Sequence, residues 1–100
     1  MNLSQQFHLV ASGQVVQLRT LDINKPYPVL YARRLITQYG SSVLVTLQSE
    51  EGINVKIYLP KRYSDVFEDS DIEDINTGRK LYKLIYRGRR GSAYVIHMEL

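Results

Sequence analysis

The sequence predicts a mainly β fold, a small β-barrel with one helix, and three observations support this class. Apolar segments with strand-like alternation recur along the chain and are separated by turns containing Gly, Ser or Pro. One stretch with helical character lies between the third and fourth of these segments. The chain has 100 residues with 44% hydrophobic content, which is enough for one modest core and therefore for one domain.

Three predicted strands form a meander in the first half of the domain. They are residues 27–39, 43–48 and 53–59. In the first strand the apolar residues change face near Arg33 and Arg34, which predicts a β-bulge at that point. Pro60 ends the third strand, because proline cannot donate a hydrogen bond to a strand ladder.

One helix is predicted in the segment YSDVFEDSDIEDINTG, residues 63–78. Ser64 is placed to cap its first turn, and Ser70 followed by Glu73 resembles a capping box. Gly78 is suited to end the helix. The residues expected to face the core are Val66, Phe67, Ile72 and Ile75.

Two further strands end the chain, RKLYKLIYRG (79–88) and SAYVIHMEL (92–100), joined by a GRRG loop. The core residues expected from them are Leu81, Leu84, Tyr94, Ile96 and Met98. Residues 1–24 fit neither the helical nor the strand period well. We interpret them as an N-terminal extension of uncertain structure that precedes a domain of residues 25–100.

The resulting order, β-β-β-α-β-β, is that of an OB-fold, a five-stranded Greek-key barrel with a helix between strands three and four. A long first strand with a bulge is expected in this fold, because that strand must curve to pair on both sides. An SH3-like barrel is the main alternative, but it usually lacks a mid-chain helix of this length.

The segment from Tyr27 to Tyr63 also carries a family resemblance. Its first strand ends in T-x-Y-G, an apolar strand and a short acidic turn follow, and the third strand ends in LP-x-R-Y. In these features it resembles the single-strand-binding OB domains of the replication protein A type. It resembles more closely some small uncharacterised OB-like proteins of insects and their viruses. The resemblance covers residues 27–100.

This resemblance implies that single-stranded nucleic acid binds across strands two and three, between the loops TQYGSS (37–42) and YRGRRGS (86–92). It favours DNA over RNA, although the residues themselves do not distinguish the two, because the distinction depends on contacts to the 2′-hydroxyl. The chain departs from the family in its second strand, SVLVTLQ (42–48), which carries no aromatic side chain.

Charge is unevenly distributed along the chain. Six acidic residues and no Lys or Arg lie between Asp65 and Asp74, so the rest of the chain carries thirteen bases against four acids, a balance of +9. Such an excess indicates a protein that binds a polyanion. The alternative is a solvated surface with one acidic helix.

The candidate site residues combine cations for phosphate with tyrosines for base stacking. They are Arg33, Arg34, Tyr39, Lys56, Tyr58, Lys61, Arg62, Tyr86, Arg87, Arg89 and Arg90. Several have structural alternatives: Tyr58 as a cross-strand partner on an exposed sheet face, and Lys61 and Arg62 as partners of the acidic helix. The arginine-rich loop has the alternative of a soluble turn.

The sequence thus predicts a binding protein without catalytic residues, cofactor or metal site. It has no cysteine, no GxxxxGK phosphate loop, and no metal-ligand spacing between His8 and His97. A metal-dependent OB nuclease is a minor alternative. The main alternative is a protein-interaction module or a viral accessory scaffold.

Cellular location is also an expectation at this point. No apolar run reaches the ~20 residues of a membrane span, and the N-terminus lacks a charged start followed by an apolar core. We therefore expect an intracellular protein, in the nucleus or at a viral replication site, with single-stranded nucleic acid as partner and protein partners as a further option.

Overall fold

The computed structural model describes residues 14–38, 40–49 and 52–100. Its strands are β1 (Gln14–Val15), β2 (Pro26–Thr37), β3 (Gly40–Gln48), β4 (Asn54–Tyr58), β5 (Lys83–Arg90) and β6 (Ala93–Glu99). Its helices are α1 (Lys61–Ser64) and α2 (Asp69–Asn76), and a 3-10 turn at Leu18–Thr20 follows β1. The mainly β class is confirmed, whereas the single predicted helix is two short ones.

The six strands form one sheet with the order β1-β4-β3-β2-β5-β6. β2, β3 and β4 form the predicted antiparallel meander, and β5 and β6 form a hairpin. β2 is long because it pairs with β5 through residues 26–28 and with β3 through residues 29–37. β1 adds a parallel strand beside β4.

The sheet is not closed, so the described part of the chain does not form the predicted five-stranded barrel. β1 occupies the edge of β4 that closure would need. Side chains of α1 occupy the edge of β6: the Tyr63 hydroxyl accepts a hydrogen bond from Ile96 N (3.0 Å), and Arg62 donates one to the Tyr94 carbonyl (2.6 Å). These contacts satisfy backbone groups that would otherwise need a neighbouring strand.

The bulge in β2 lies between Val29 and Tyr31, and its prediction at Arg33–Arg34 is therefore wrong. Val29 points into the core before the bulge and Ala32 after it, while Leu30 and Tyr31 are both exposed. The irregularity falls where β2 stops pairing with β5 and continues along β3 alone. Its position decides the face of every later residue of the strand.

The core lies on the inner face of the sheet, and it includes residues from the segment that the sequence left without a structure. Leu18 and Leu21 are buried in the same cluster as Val45 of β3 and Ile57 of β4. Residues 14–24 are therefore packed against the rest of the domain. Their Ile23 also forms a parallel bridge with Tyr86 of β5.

Ser64 was predicted to cap the start of a helix, but it is the last residue of α1. It is fully buried, where its hydroxyl accepts a hydrogen bond from Val43 N (3.0 Å) and donates one to the Leu59 carbonyl (3.2 Å). The hydroxyl thus joins β3 to the residue that follows β4, and the end of α1 is held between them.

The capping box of α2 is also displaced from its prediction. Glu68 is the N-cap, with an extended backbone, and its N–H donates to an Asp71 carboxylate oxygen (2.9 Å). Ser70 and Glu73 lie inside the helix instead. The same acidic run offers both pairs at the same spacing, so the pattern left the register open.

Most predicted core residues are confirmed. Those that are buried or packed against the core are Phe67, Ile72, Ile75, Leu84, Tyr94, Ile96 and Met98. Two are wrong, since Val66 is 70% exposed in the turn between the helices and Leu81 is 74% exposed before β5.

Asn76 joins the end of α2 to β2. Its Oδ1 accepts a hydrogen bond from Ala32 N (2.8 Å), and its Nδ2 donates one to the Ala32 carbonyl (2.9 Å). The side-chain amide thus serves both backbone groups of a residue beyond the point where β2 leaves β5. It holds α2 against that part of β2.

Within the described ranges, no helix is long and apolar enough to cross a lipid bilayer.

Candidate nucleic-acid interface

The outer face of the β2–β3–β4 meander carries two rows of side chains. Residues that pair directly across strands point to the same face of a sheet. One row runs Tyr31–Thr46–Lys56 and the next runs Arg33–Leu44–Tyr58 across the three strands. We call these six residues the outer-face array.

Tyrosines and cations alternate at the corners of the outer-face array. Tyr31 and Tyr58 occupy one diagonal and are 44% and 49% exposed, and Arg33 and Lys56 occupy the other. Strand spacing and rise place the two tyrosine Cα atoms about 12 Å apart. Thr46, at the centre of its row, is buried. The array therefore presents two exposed rings on separate strands, β2 and β4.

The cations of the array are free of ion pairing within the described residues. Salt bridges there engage five other bases, namely Lys25, Arg34, Lys61, Arg79 and Lys80. Four of these five pair with acids of the segment from Asp65 to Asp74. Arg33 and Lys56 form no salt bridge with any described residue.

Arg34 was predicted as a site residue, but it lies on the opposite face, under the connection between α1 and α2. Its guanidinium donates to the Phe67 carbonyl (2.5 Å) and to a carboxylate oxygen of Asp69 (3.2 Å). The Ser64 carbonyl and the Ser41 hydroxyl are two further acceptors, at 3.4 and 3.5 Å. These contacts hold the helices to β2 and leave Arg34 without a free donor face for phosphate.

The segment YRGRRGS was predicted to be a hairpin loop, but most of it is strand. β5 extends to Arg90, which pairs with Ala93, so the connection is the two-residue turn Gly91–Ser92. A second bulge, between Tyr86 and Gly88, contains Arg87. The three arginines are therefore held on a ladder and not on a flexible loop.

Each of these arginines has a different environment. Arg87 is exposed and donates to Asn24 Oδ1 (2.9 Å). Arg89 stacks over the Tyr94 ring, 5.5 Å from its centroid. Arg90 is exposed and forms no salt bridge among the described residues.

Tyr86 cannot stack on a base, contrary to its prediction as a site residue. Its side chain is 4% exposed, and its ring centroid lies 6.2 Å from that of Tyr94. It faces the core because it pairs with the buried Ile96. Tyr86 is a structural residue.

Lys61 and Arg62 make different kinds of contact. Lys61 pairs with Asp65 at 3.6 Å, as the acidic-helix alternative expected. Arg62 lies over the Tyr63 ring, 4.7 Å from its centroid, and bonds the edge of β6. Tyr39, the remaining predicted site residue, lies outside the described residues.

A cleft of about 640 Å³ opens between β4 and β6, where the barrel would have closed. It is lined by Val15, Val16, Gln17, Leu18, Arg19, Tyr58, Pro60 and Tyr94. We call it the β4–β6 cleft. It shares Tyr58 with the outer-face array, so the two features form one continuous surface.

Sequence reasoning missed Tyr31 and the whole β4–β6 cleft. Tyr31 follows a short apolar run, and its outward direction was missed because the bulge was predicted at Arg33–Arg34 and not between Val29 and Tyr31. The cleft depends on residues 15–19, which fit neither the helical nor the strand period. Among the described residues, no cluster of His, Asp or Glu could hold a metal ion.

Comparisons of the chain with models of protein families, with curated proteins and with solved structures give no match.

Proposed function

We propose that this protein binds single-stranded nucleic acid, with DNA favoured over RNA, through the outer-face array and without catalysis. One observation carries the proposal: two exposed tyrosines alternate with two cations that have no described carboxylate partner, on one face of the sheet. Single-strand binding requires this combination of flat rings and unpaired positive charge.

The energetics agree with that assignment. A base stacked on an aromatic side chain gains about 1–3 kcal/mol irrespective of its identity, because every base has a π-face. Two separated tyrosines therefore support binding with little sequence preference. Arg33 and Lys56 flank the rings and add phosphate contacts that weaken with salt.

The strand connectivity also supports the proposal. The strand order β4-β3-β2-β5-β6 resembles the connectivity of an OB-fold, although the sheet is not closed. The helices lie between β4 and β5, and β2 pairs on both sides, as in that fold. The array lies on β3, β4 and the adjoining part of β2, which includes the face that the family resemblance implied. We accordingly propose an open OB-type domain. A cellular role would place it where single strands are exposed, such as the nucleus or a viral replication site.

The direct test is a titration of labelled single-stranded dT, rU and duplex DNA at two salt concentrations. We expect dT to bind most tightly and duplex most weakly, since a duplex hides its base faces. Arg33→Glu with Lys56→Glu should abolish single-strand binding. Arg79→Glu with Lys80→Glu makes the same charge change beside Asp74 and should keep most of it. Equal loss in both double variants would overturn the assignment to the array.

A second candidate function is protein recognition by the same face. Exposed Tyr and Arg side chains around an apolar residue, as at Leu44, are also typical of binding hot spots between proteins. The titration separates the two candidates. Absence of any oligonucleotide binding at ~50 mM salt, where phosphate contacts are strong, would favour a protein partner.

A further inference from the structure

We propose that the β4–β6 cleft receives one unstacked base of the strand that crosses the outer-face array. This inference rests on the proposed function and adds a specific second site to it. The site lies where the sheet is open, at the far edge of β4, and extends beyond the two strands that the family resemblance implied.

The lining of the cleft suits a planar ring. Tyr58 of β4 and Tyr94 of β6 line it from the two strands that border the gap. Val16, Leu18 and Pro60 add apolar surface between them. Its volume of about 640 Å³ lies within the range of ~300–1,000 Å³ found for pockets that hold small molecules.

The charges around the cleft suit the phosphate attached to that base. Arg19 belongs to the lining, and the described lining residues include no carboxylate. Arg89 stacks on Tyr94, 5.5 Å from the ring centroid, and so adds a second cation beside the wall of the cleft. A base enters most readily where its own phosphate is attracted as well.

The cleft is also on the path of the strand. Tyr58 belongs both to the array and to the lining. Val15, another lining residue, pairs with Lys56 and so extends the Tyr31–Thr46–Lys56 row by one strand. A nucleic-acid strand that runs from β2 across β3 and β4 therefore reaches the cleft directly after the array.

A peptide strand fits this gap less well than a base. Insertion of a strand requires free N–H and C=O groups on the edge of β6. Arg62 and Tyr63 already satisfy the Tyr94 carbonyl and the Ile96 N–H on that edge. The cleft thus offers aromatic rings and cations to a base and its phosphate, whereas part of the β6 backbone edge is already hydrogen-bonded.

The test fills the cleft and measures each site separately. Gln17→Trp places a large side chain in the lining, and Gln14→Trp makes the same change at a neighbouring exposed residue outside it. Backbone amide spectra check that both variants fold. Affinity for a labelled dT oligomer and amide shifts on titration with thymidine 5′-monophosphate are then recorded.

We expect the mononucleotide to shift the amides of Gln17, Arg19 and Tyr94 in the unmodified protein and in Tyr31→Ala, but not in Gln17→Trp. The oligomer should bind Gln17→Trp about tenfold more weakly, as for one lost stacked base, and Gln14→Trp within about twofold of the unmodified protein. That pattern supports the inference.

Three other outcomes overturn it, and they are distinguishable. If the oligomer binds but Gln17→Trp matches the unmodified protein and no cleft amide shifts, the array is sufficient and only the cleft assignment fails. If the mononucleotide shifts the cleft but no oligomer binds, the cleft is not part of a strand site. If neither ligand binds, the proposed function fails together with the cleft.

Discussion

Arg33 and Arg34 are neighbours on β2, yet they belong to two regions with opposite properties. Arg34 lies on the helix-covered face, where Asp69, Phe67 and two serines provide acceptors for its guanidinium. Arg33 lies on the open face of the meander and forms no salt bridge with a described residue. The guanidinium of Arg34 is therefore part of the fold, whereas that of Arg33 has no carboxylate partner among the described residues.

The same difference extends to the charge of the whole domain. Three of the six acids from Asp65 to Asp74 pair with nearby bases, which are Arg34, Lys61, Arg79 and Lys80. None of these four bases belongs to the outer-face array. The acidic segment is thus partly paired with its own neighbours, whereas Arg33 and Lys56 form no salt bridge with a described residue.

The largest effect should come from Arg34→Ala. We expect the free energy of unfolding to fall by about 3 kcal/mol, because several acceptors lose one charged donor. Urea unfolding measures this loss. Arg33→Ala is the matched control and should change stability by no more than about 0.5 kcal/mol. Similar losses in the two variants would contradict the contrast between the faces.

Asn76→Ala should have the next largest effect. We expect the free energy of unfolding to fall by about 2 kcal/mol, because the Ala32 N–H and carbonyl lose their side-chain partner. Thermal unfolding should show a melting temperature lower by roughly 8–16 °C in a domain of this size. Thr77→Ala removes only an exposed bond to the Glu73 carbonyl and should have a much smaller effect. An unchanged melting temperature in Asn76→Ala would show that α2 is held mainly by other contacts.

Tyr58→Ala and Tyr31→Ala act on the open face, and their effects should appear in binding. Each is expected to weaken single-strand affinity by about 1.5 kcal/mol, roughly tenfold, through loss of one stacked base. Fluorescence anisotropy measures the affinity, and a melting curve shows whether stability is kept. Val66→Ala, an exposed apolar residue between the helices, serves as control. A large stability loss in Tyr58→Ala would identify that tyrosine as structural instead.

The smallest predicted effect is on salt dependence. Each phosphate contact to a single strand contributes a slope of about 0.7 to the plot of log affinity against log salt. Arg33→Ala with Lys56→Ala should therefore reduce the slope by about 1.4, and Arg79→Ala with Lys80→Ala should leave it unchanged. If the two double variants reduce the slope equally, the two sides of the domain do not differ toward an anion.

Sequence alternation was sufficient to predict β3 and β4, because their inward residues Val43, Val45 and Ile57 are all fully buried. Alternation did not predict on which face of the sheet Arg33, Arg34 and Tyr31 lie. That face depends on where β2 exchanges one partner strand for another, and pairing partners are distant in sequence. Of the array, Lys56 and Tyr58 on β4 and Arg33 on β2 were consequently predicted as site residues, whereas Tyr31 on β2 was not.

The hairpin shows a second limit. Two glycines and three arginines in YRGRRGS are typical of a loop, but Gly88 has a positive φ of 94° and lies at a bulge within β5. Pairing with β6 continues on both sides of this bulge. Only the pairing partners reveal that Arg87, Arg89 and Arg90 are held in fixed and different directions.

The pairing of β2 on both sides has a consequence for how the chain folds. β3 follows β2 immediately and can join it early, but Tyr27 must also meet Leu84 from the far end of the chain. Closing so long a loop has to precede the contacts that stabilise it, and folding of such β-rich domains usually takes milliseconds to seconds. The meander that carries the array should therefore form first, and the β5–β6 hairpin should dock in the slow step that completes the core.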